Sequence, residues 1–479
     1  MASSTSIDAL ASAIVARFLR TYNYTETLQA FVREADLPLD VGQASGDDTH
    51  NLTIQSLLEE KRTFDQTVNF ERYGNDGKEN EGWSIPAPSK PTVIQTPTSS
   101  NILSASVELW NRSSSEADAP DPAKPLILST SADRQAHLFE TASEHASLAS
   151  LSGLFDSPVL SYVSILQGRY ILMANMAGNL LLQQGTRVLD TRKDHAKYVV
   201  KVVAHEDQSP SSTSPAYWVA TAGWDATVFL YRIEIPENAP PVIGEPVAHI
   251  KLATNPESLL FVPHVDSGEL FLLVSRRDST YIYYHEVTSS NSESRLLGKQ
   301  NLAPHSNAWV AFSPACMALS PHDPGLLAVA TSTLPHLKVI IVRLLFPSVE
   351  SLGESDPADA AVTQASQALA ALALSNREDA AILLQANTFA SQTAYSTPQV
   401  VWRPDGSGVW VNGDDGLVRG IETKTGKLVA TLKDGHEIGC KVRSIWAGYV
   451  DLPGEDESSI QEEWVISGGF DKRLIVWKV

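Results

Sequence analysis

Cysteine is nearly absent from this chain: Cys316 and Cys440 are the only two among 479 residues. They are too few and too far apart for a disulfide framework or a cysteine-built metal site, and they point to a reducing compartment, cytosol or nucleus. Basic residues are also short, with 36 Lys+Arg against 56 Asp+Glu and a net charge of −20. Sequence-independent nucleic-acid binding and polybasic membrane binding both need a surplus of cations, so neither class fits. No apolar run reaches the roughly 18 residues of a spanning helix. Residues 1–6 lack the basic and apolar regions of a secretory leader, so none is expected. The 12 histidines are scattered without metal-ligand spacing. Phosphate-cradling glycine loops are missing too: residues 74–80, GNDGKEN, hold a lysine without P-loop spacing and read as linker. No cofactor is expected. What remains is a folded composition, 43% hydrophobic and 19% charged, long enough for two or three domains or for one large all-β domain with an appendage.

Residues 1–36 read as a helix pair. Ile7, Leu10, Ala11, Ile14, Phe18 and Tyr22 recur at helical spacing, with Thr5 and Asp8 as a weak capping box. Asn23 suits the left-handed conformation that ends a helix. A second stripe, Leu28, Phe31, Val32 and Ala35, runs to Pro38. Two such short helices cannot bury a core alone and call for a partner, most simply a second copy of the chain. Between 37 and 90 lie a polar acidic stretch, a helix expected over about 52–73, and a Gly, Asn, Pro and Ser-rich linker from 74 to 90.

From about 91 onward, short apolar runs alternate with turn clusters, and an internal repeat emerges. SGGFDKRLIVW (467–477), TAGWDATVFLY (221–231) and STSADRQAHLF (129–139) each place an Asp four residues after a Ser or Thr and six before an aromatic. VNGDDGLVRGI (411–421) and VSRRDSTYIYY (274–284) keep the turn alone. His195 and His436 lie upstream of two copies.

This pattern resembles the WD-repeat β-propeller. The resemblance implies that His436, Ser467, Asp471 and Trp477, and likewise His195, Thr221, Asp225 and Tyr231, form structural tetrads in which the histidine bridges a turn carboxylate and a strand hydroxyl. The alternative, two Ser/Thr-His-Asp triads, fails because the hydroxyl is held by an aromatic and not presented to substrate. Seven blades are expected, centred on 101–140, 158–184, 197–233, 250–286, 314–386, 398–432 and 440–479. A strand at 91–97 is expected to close the ring, and an Ala-rich insertion at about 349–379 to hold a helix over 358–374 before an outer strand at 380–386. In this architecture the residue before the turn Asp points to the mouth of the channel, which marks Ala132, Trp224, Arg277, Asp414 and Phe470 as a partner-binding face. The acidic runs 455–457 and 462–463 read as a loop, and Thr96-Pro97, Ser157-Pro158, Ser209-Pro210 and Ser214-Pro215 are minimal phosphorylation sites.

Residues 13–35 are similar to a LisH motif, with Ile14, Phe18, Leu19, Tyr24, Thr27, Phe31 and Glu34 at its positions and Asn23 in place of the usual Gly. Together the resemblances imply a LisH–WD-repeat protein, a group that includes dynein regulators, corepressors, a splicing factor and ubiquitin-ligase subunits. The expected function is a non-enzymatic scaffold, homodimeric through LisH, with a protein partner on the propeller face. An adaptor subunit of a larger assembly is the alternative, and a propeller enzyme a more distant one.

Overall fold

The structure, a computed structural model, describes residues 2–38, 40–41, 53–55, 83–111, 123–142, 144–208, 214–264, 267–288, 292–304, 312–347, 364–453 and 459–479. The chain divides into two compact units, residues 1–77 and 78–479.

The first unit holds α1 (Ala2–Thr21) and α2 (Thr25–Glu34). Helix α1 begins at Ala2, so Thr5 lies inside it and does not cap it, contrary to the capping-box reading. Asn23 adopts φ +57° at the joint, and Tyr24 N–H returns to Leu19 O at 2.9 Å, which turns the chain into α2. Ala16 and Val32 are buried. The side chains of Ile7 and Leu10 lie outside the described residues. So does the expected 52–73 helix, apart from Ile54 and Gln55, which are helical.

The second unit is a seven-bladed propeller of four-stranded antiparallel sheets. Blade one is β2 (Ile102–Trp110), β3 (Lys124–Ser131), β4 (Ala136–Glu140) and β5 (Ser147–Leu151). Blade two is β6 (Val159–Ile165), β7 (Tyr170–Asn175), β8 (Leu180–Gln184) and β9 (Arg187–Arg192). Blade three is β10 (Val199–Glu206), β11 (Ala216–Gly223), β12 (Thr227–Glu234) and β13 (Ala248–Lys251). Blade four is β14 (Pro256–Pro263), β15 (Leu270–Arg276), β16 (Tyr281–Glu286) and β17 (Leu296–Asn301). Blade five is β18 (Pro314–Leu319), β19 (Leu326–Thr331), β20 (His336–Arg343) and β21 (Ile382–Ser391), with α3 (Gln364–Ala381) before its last strand. Blade six is β22 (Val400–Trp402), β23 (Gly408–Asn412), β24 (Val418–Glu422) and β25 (Leu428–Leu432). Blade seven is β26 (Val442–Pro453), β27 (Ser459–Gly469) and β28 (Leu474–Lys478), completed by β1 (Lys90–Ile94), which pairs with β28 from Lys90↔Lys478 to Ile94↔Leu474.

The second strands are buried on both faces, because each blade is covered by its two neighbours. Hence β11 reads AYWVATAG with every residue buried, where a one-sided sheet would alternate. The outer strands are more open, and Ala248–Lys251 alternates buried with less buried positions. Apolar clusters fill the gaps between blades: Val262, Phe271 and Tyr284 meet Leu327, Ile340 and Val342 between blades four and five.

Several boundaries differ from the sequence reading. The closing strand is Lys90–Ile94 and stops short of 97. The insertion helix runs to Ala381, and the outer strand lies at 382–391, later than 380–386. Glu462 and Glu463 belong to β27, not to a loop; residues 455–457 lie outside the described residues.

The expected linker is part of the fold from Trp83 onward. The Trp83 indole stands edge-on to Trp410, with centroids 5.0 Å apart, and under the Arg403 guanidinium, 4.4 Å from the ring centroid. A Cβ on Gly408 or Gly420 would collide with that indole, so these glycines form its seat. Arg403 is fully buried and makes a two-pronged pair with Glu463 of the next blade, at 2.9 and 2.6 Å. Ser89 N–H donates to Lys478 O at 2.8 Å and leads into β1.

Candidate functional site: the channel mouth and the helix pair

The mouth is built by turns between second and third strands, and their geometry rests on buried polar networks. In blade seven, His436 Nδ1 lies 3.0 Å from Asp471 Oδ2 and Nε2 lies 2.8 Å from Ser467 Oγ, which also accepts the Trp477 indole N–H at 2.8 Å. Burial pushes the Asp471 carboxyl up, but bonds from His436 and from the Glu437 and Arg473 N–H groups outweigh it and hold the group at about 2. In blade three, His195 Nδ1 meets Asp225 at 3.1 Å and Nε2 meets Thr221 Oγ1 at 2.9 Å. Burial lowers the His195 pKa despite Asp225, so the ring is neutral: Nδ1–H donates and Nε2 accepts. Tyr231 departs from the role implied for it. Its hydroxyl donates to Asp194 at 3.0 Å while also meeting the Thr221 side chain.

Blade one has no upstream histidine. Thr98 fills that place and donates to Asp133, while Ser131 Oγ binds the same carboxylate at 2.7 Å. Ser129 Oγ, the counterpart of Ser467, is buried without a partner. In blade six, Arg419 takes over and grips Asp415 at 3.1 and 2.6 Å.

Each turn sets one residue at the mouth through a backbone bond. Trp224 N–H donates to Tyr198 O at 3.0 Å, Arg277 N–H to Asn255 O at 2.8 Å, Phe470 N–H to Lys441 O at 2.9 Å and Ala132 N–H to Asn101 O at 3.0 Å. Asp414 N–H instead bonds Ser391 O at 3.0 Å, across the blade boundary. Met176 and Ser332 make the same bond, to Pro158 O at 2.9 Å and Ser313 O at 3.0 Å. The sequence reading missed both, because their turns lack the Asp; repeat spacing was the only available signal.

Trp224 and Arg277 come together. The Trp224 ring lies 4.5 Å from that of Tyr198, and the Arg277 guanidinium lies 5.4 Å from the Trp224 centroid while Nε binds Glu257 at 2.7 Å. This aromatic–guanidinium cluster joins blades three and four. Phe470 stands apart, 41% exposed. Asp414 is held by Lys441 at 3.2 Å and by Ser396.

His436, Cys440 and Asp471 bring three donor atoms within 4.8 Å of one another. The set does not suit a cation: Asp471 N–H already donates to Cys440 Sγ at 3.1 Å, and burial pushes the thiol up to about 11, away from the thiolate a metal needs.

On the helix pair, Phe18, Tyr22 and Tyr24 form a ring cluster with centroids 4.8 to 6.4 Å apart, yet Tyr22 and Tyr24 remain 50% and 52% exposed. Ile14, Leu19 and Phe31 are half-buried, and Thr27 and Glu34 are exposed.

No curated protein matches the chain. A family model described as UCP007778, beta-propeller domain, matches residues 117–477, and one described as UCP007778, LisH domain, matches residues 12–42. Most of the chain falls inside the first match and the joint of the helix pair inside the second, so the chain belongs to the UCP007778 family, a LisH motif coupled to a β-propeller.

Proposed function

We propose that this protein is a non-enzymatic scaffold that dimerises through α1 and α2 and binds a protein partner at the propeller mouth. LisH motifs and propellers are both interaction modules. The observation that carries the reading is aromatic surface left open on each: Tyr22 and Tyr24 beside half-buried Phe18 on the helices, and Phe470, with half-buried Trp224 under exposed Arg277, at the mouth. The histidine–hydroxyl–carboxylate groups favour no hydrolytic reading, because Thr221 and Ser467 are fully buried inside their networks. With separate surfaces on two modules, the chain also suits an adaptor subunit of a larger assembly. The two free thiols, Cys316 and Cys440, favour cytosol or nucleus as its place.

Light scattering on the full chain tests the dimer, which is expected at micromolar concentration and lost on deleting residues 1–36. The partner face is tested by Trp224→Ala with Arg277→Ala. Capture of co-purifying protein by the double variant should weaken by roughly 2 kcal/mol, with the melting temperature nearly unchanged. Lost stability with intact capture would place the site elsewhere.

A further inference from the structure

Blade six ends on an open edge. Its strands lie in the order β22-β23-β24-β25, and among the described residues no backbone hydrogen bond reaches the outer side of β25. Elsewhere the chain covers such an edge with itself. At blade three, His249 N–H donates to Ser292 O at 3.0 Å and Ser294 N–H to His249 O at 3.2 Å, so a loop of blade four lies along β13. At blade seven, β1 does the same for β28. The segment that runs beside β25 cannot: residues 85–89 read Ile-Pro-Ala-Pro-Ser, and Pro86 and Pro88 have no N–H to give. A cleft of about 310 Å³ separates the two, lined on one side by Trp83, Ile85 and Ala87 and on the other by Val429–Leu432.

The cleft has the proportions of a strand. The four residues of β25 along it span about 13 Å, the length of four residues of an added neighbour. Half-buried Trp83 and Ala87 belong with Ala430 and Leu432 to one apolar cluster, and Ile85 stands 53% exposed at the lip. Charge selects what enters. Residues 83–90 and 422–434 carry four lysines, Lys90, Lys424, Lys427 and Lys433, against two carboxylates, Glu422 and Asp434, the reverse of a chain whose net charge is −20. Lys424, Lys427 and Lys433 are exposed and hold no ion pair among the described residues, whereas Glu422 accepts a bond from Thr425 at 2.6 Å. Lysines at an edge repel a second copy of that edge and attract a strand of opposite sign.

We propose that the cleft beside β25 is a docking slot for an extended acidic segment of a protein partner, which adds to blade six as a fifth strand. The partner's backbone would ladder with the outer N–H and C=O groups of β25. Its apolar side chains, on alternate residues, would rest on Trp83 and Ala430, and its carboxylates would meet Lys427 and Lys433 at the two ends of the strand. The slot lies on the outer rim of the propeller and does not depend on the reading of the mouth.

The test uses the full chain and a fluorescein-labelled hexapeptide of alternating Glu and Val, read by anisotropy at constant ionic strength. The peptide should bind, and its Lys-Val counterpart at least tenfold more weakly. Methylating the amide nitrogen of every second peptide residue separates strand addition from charge alone. Only one of the two methylated registers turns its N–H groups to β25, so one should lose at least tenfold more affinity than the other. Ile85→Glu sets a carboxylate at the lip and should weaken the acidic peptide at least tenfold, as should Lys427→Glu with Lys433→Glu. Ile85→Lys loses the same apolar side chain and should bind at least as well as the parent, which guards against a folding defect at this position. No binding, equal binding of the Lys-Val peptide, two methylated peptides that bind alike, undiminished binding after the lysine reversals, or equal losses in Ile85→Glu and Ile85→Lys would each overturn the proposal. If Trp224→Ala with Arg277→Ala loses the peptide, it docks at the mouth, and the slot falls while the partner face stands.

Discussion

At the scale of single residues, the same serine position carries opposite energetic signs in two blades. Ser467 closes a network with His436 and Trp477, so Ser467→Ala strands a buried indole N–H and an imidazole nitrogen and should cost about 1–3 kcal/mol. Ser129 occupies the equivalent place with no partner, so Ser129→Ala removes an unmet hydroxyl and should be neutral or stabilising by up to about 1 kcal/mol. Urea melts of the two variants, compared at constant slope, check the contrast. Asp471 adds a dependence on pH. Its folded pKa, about 2, lies below the usual carboxylate value near 4, so its contribution is complete above about pH 4 and disappears as pH falls through 2. The difference corresponds to about 2 kcal/mol. Asp471→Asn should therefore flatten the acid limb of the stability profile measured between pH 5 and 2.

At the scale of elements, the segment from Trp83 to β1 behaves as a strap. Trp83 is half-buried, so Trp83→Ala should cost about 2–3 kcal/mol, below the range for a fully buried aromatic. Gly408→Ala should be nearly as damaging in the parent, because its Cβ evicts the same indole, and much milder once Trp83 is gone. Chemical denaturation of this double-mutant cycle reads that coupling. Glu463→Gln removes the two-pronged carboxylate from buried Arg403, leaving Asp405 at 3.3 Å as its counter-charge, and should cost about 1–3 kcal/mol. None of this was legible in the sequence. The stretch around Trp83 is rich in Pro, Ser and Gly, the composition of a linker, and the partner of Arg403 lies in another blade. The repeat turns were legible because their spacing is local: Asp133, Asp225 and Asp471 stand at fixed distances from a hydroxyl and an aromatic. The Asn23 joint was legible for the same reason, since a left-handed residue announces itself by type. Met176 and Ser332 were hidden because local chemistry gives no sign of a turn whose only determinant is its place in the ring.

At the scale of the whole molecule, the ring is completed by an early strand on a late one. A chain starting at residue 78 keeps β1 and should unfold in one cooperative step, whereas a chain starting at residue 98 lacks it and should lose cooperativity or fail to remain soluble. Thermal unfolding by circular dichroism separates the two.

The pairing of Lys90 with Lys478 also imposes a wait during synthesis. The two positions are about 390 residues apart, which at 5–20 residues per second is on the order of 20–80 s on the ribosome. Throughout that time β1 has no sheet to join, and a free strand is a template for pairing with other nascent chains. Its sequence, Lys-Pro-Thr-Val-Ile, is suited to the delay: Pro91 withholds an N–H donor, Lys90 repels its own kind, and only Ile94 is buried once the ring is shut. The closing strand is thus a poor partner for every edge except the one that β28 finally presents.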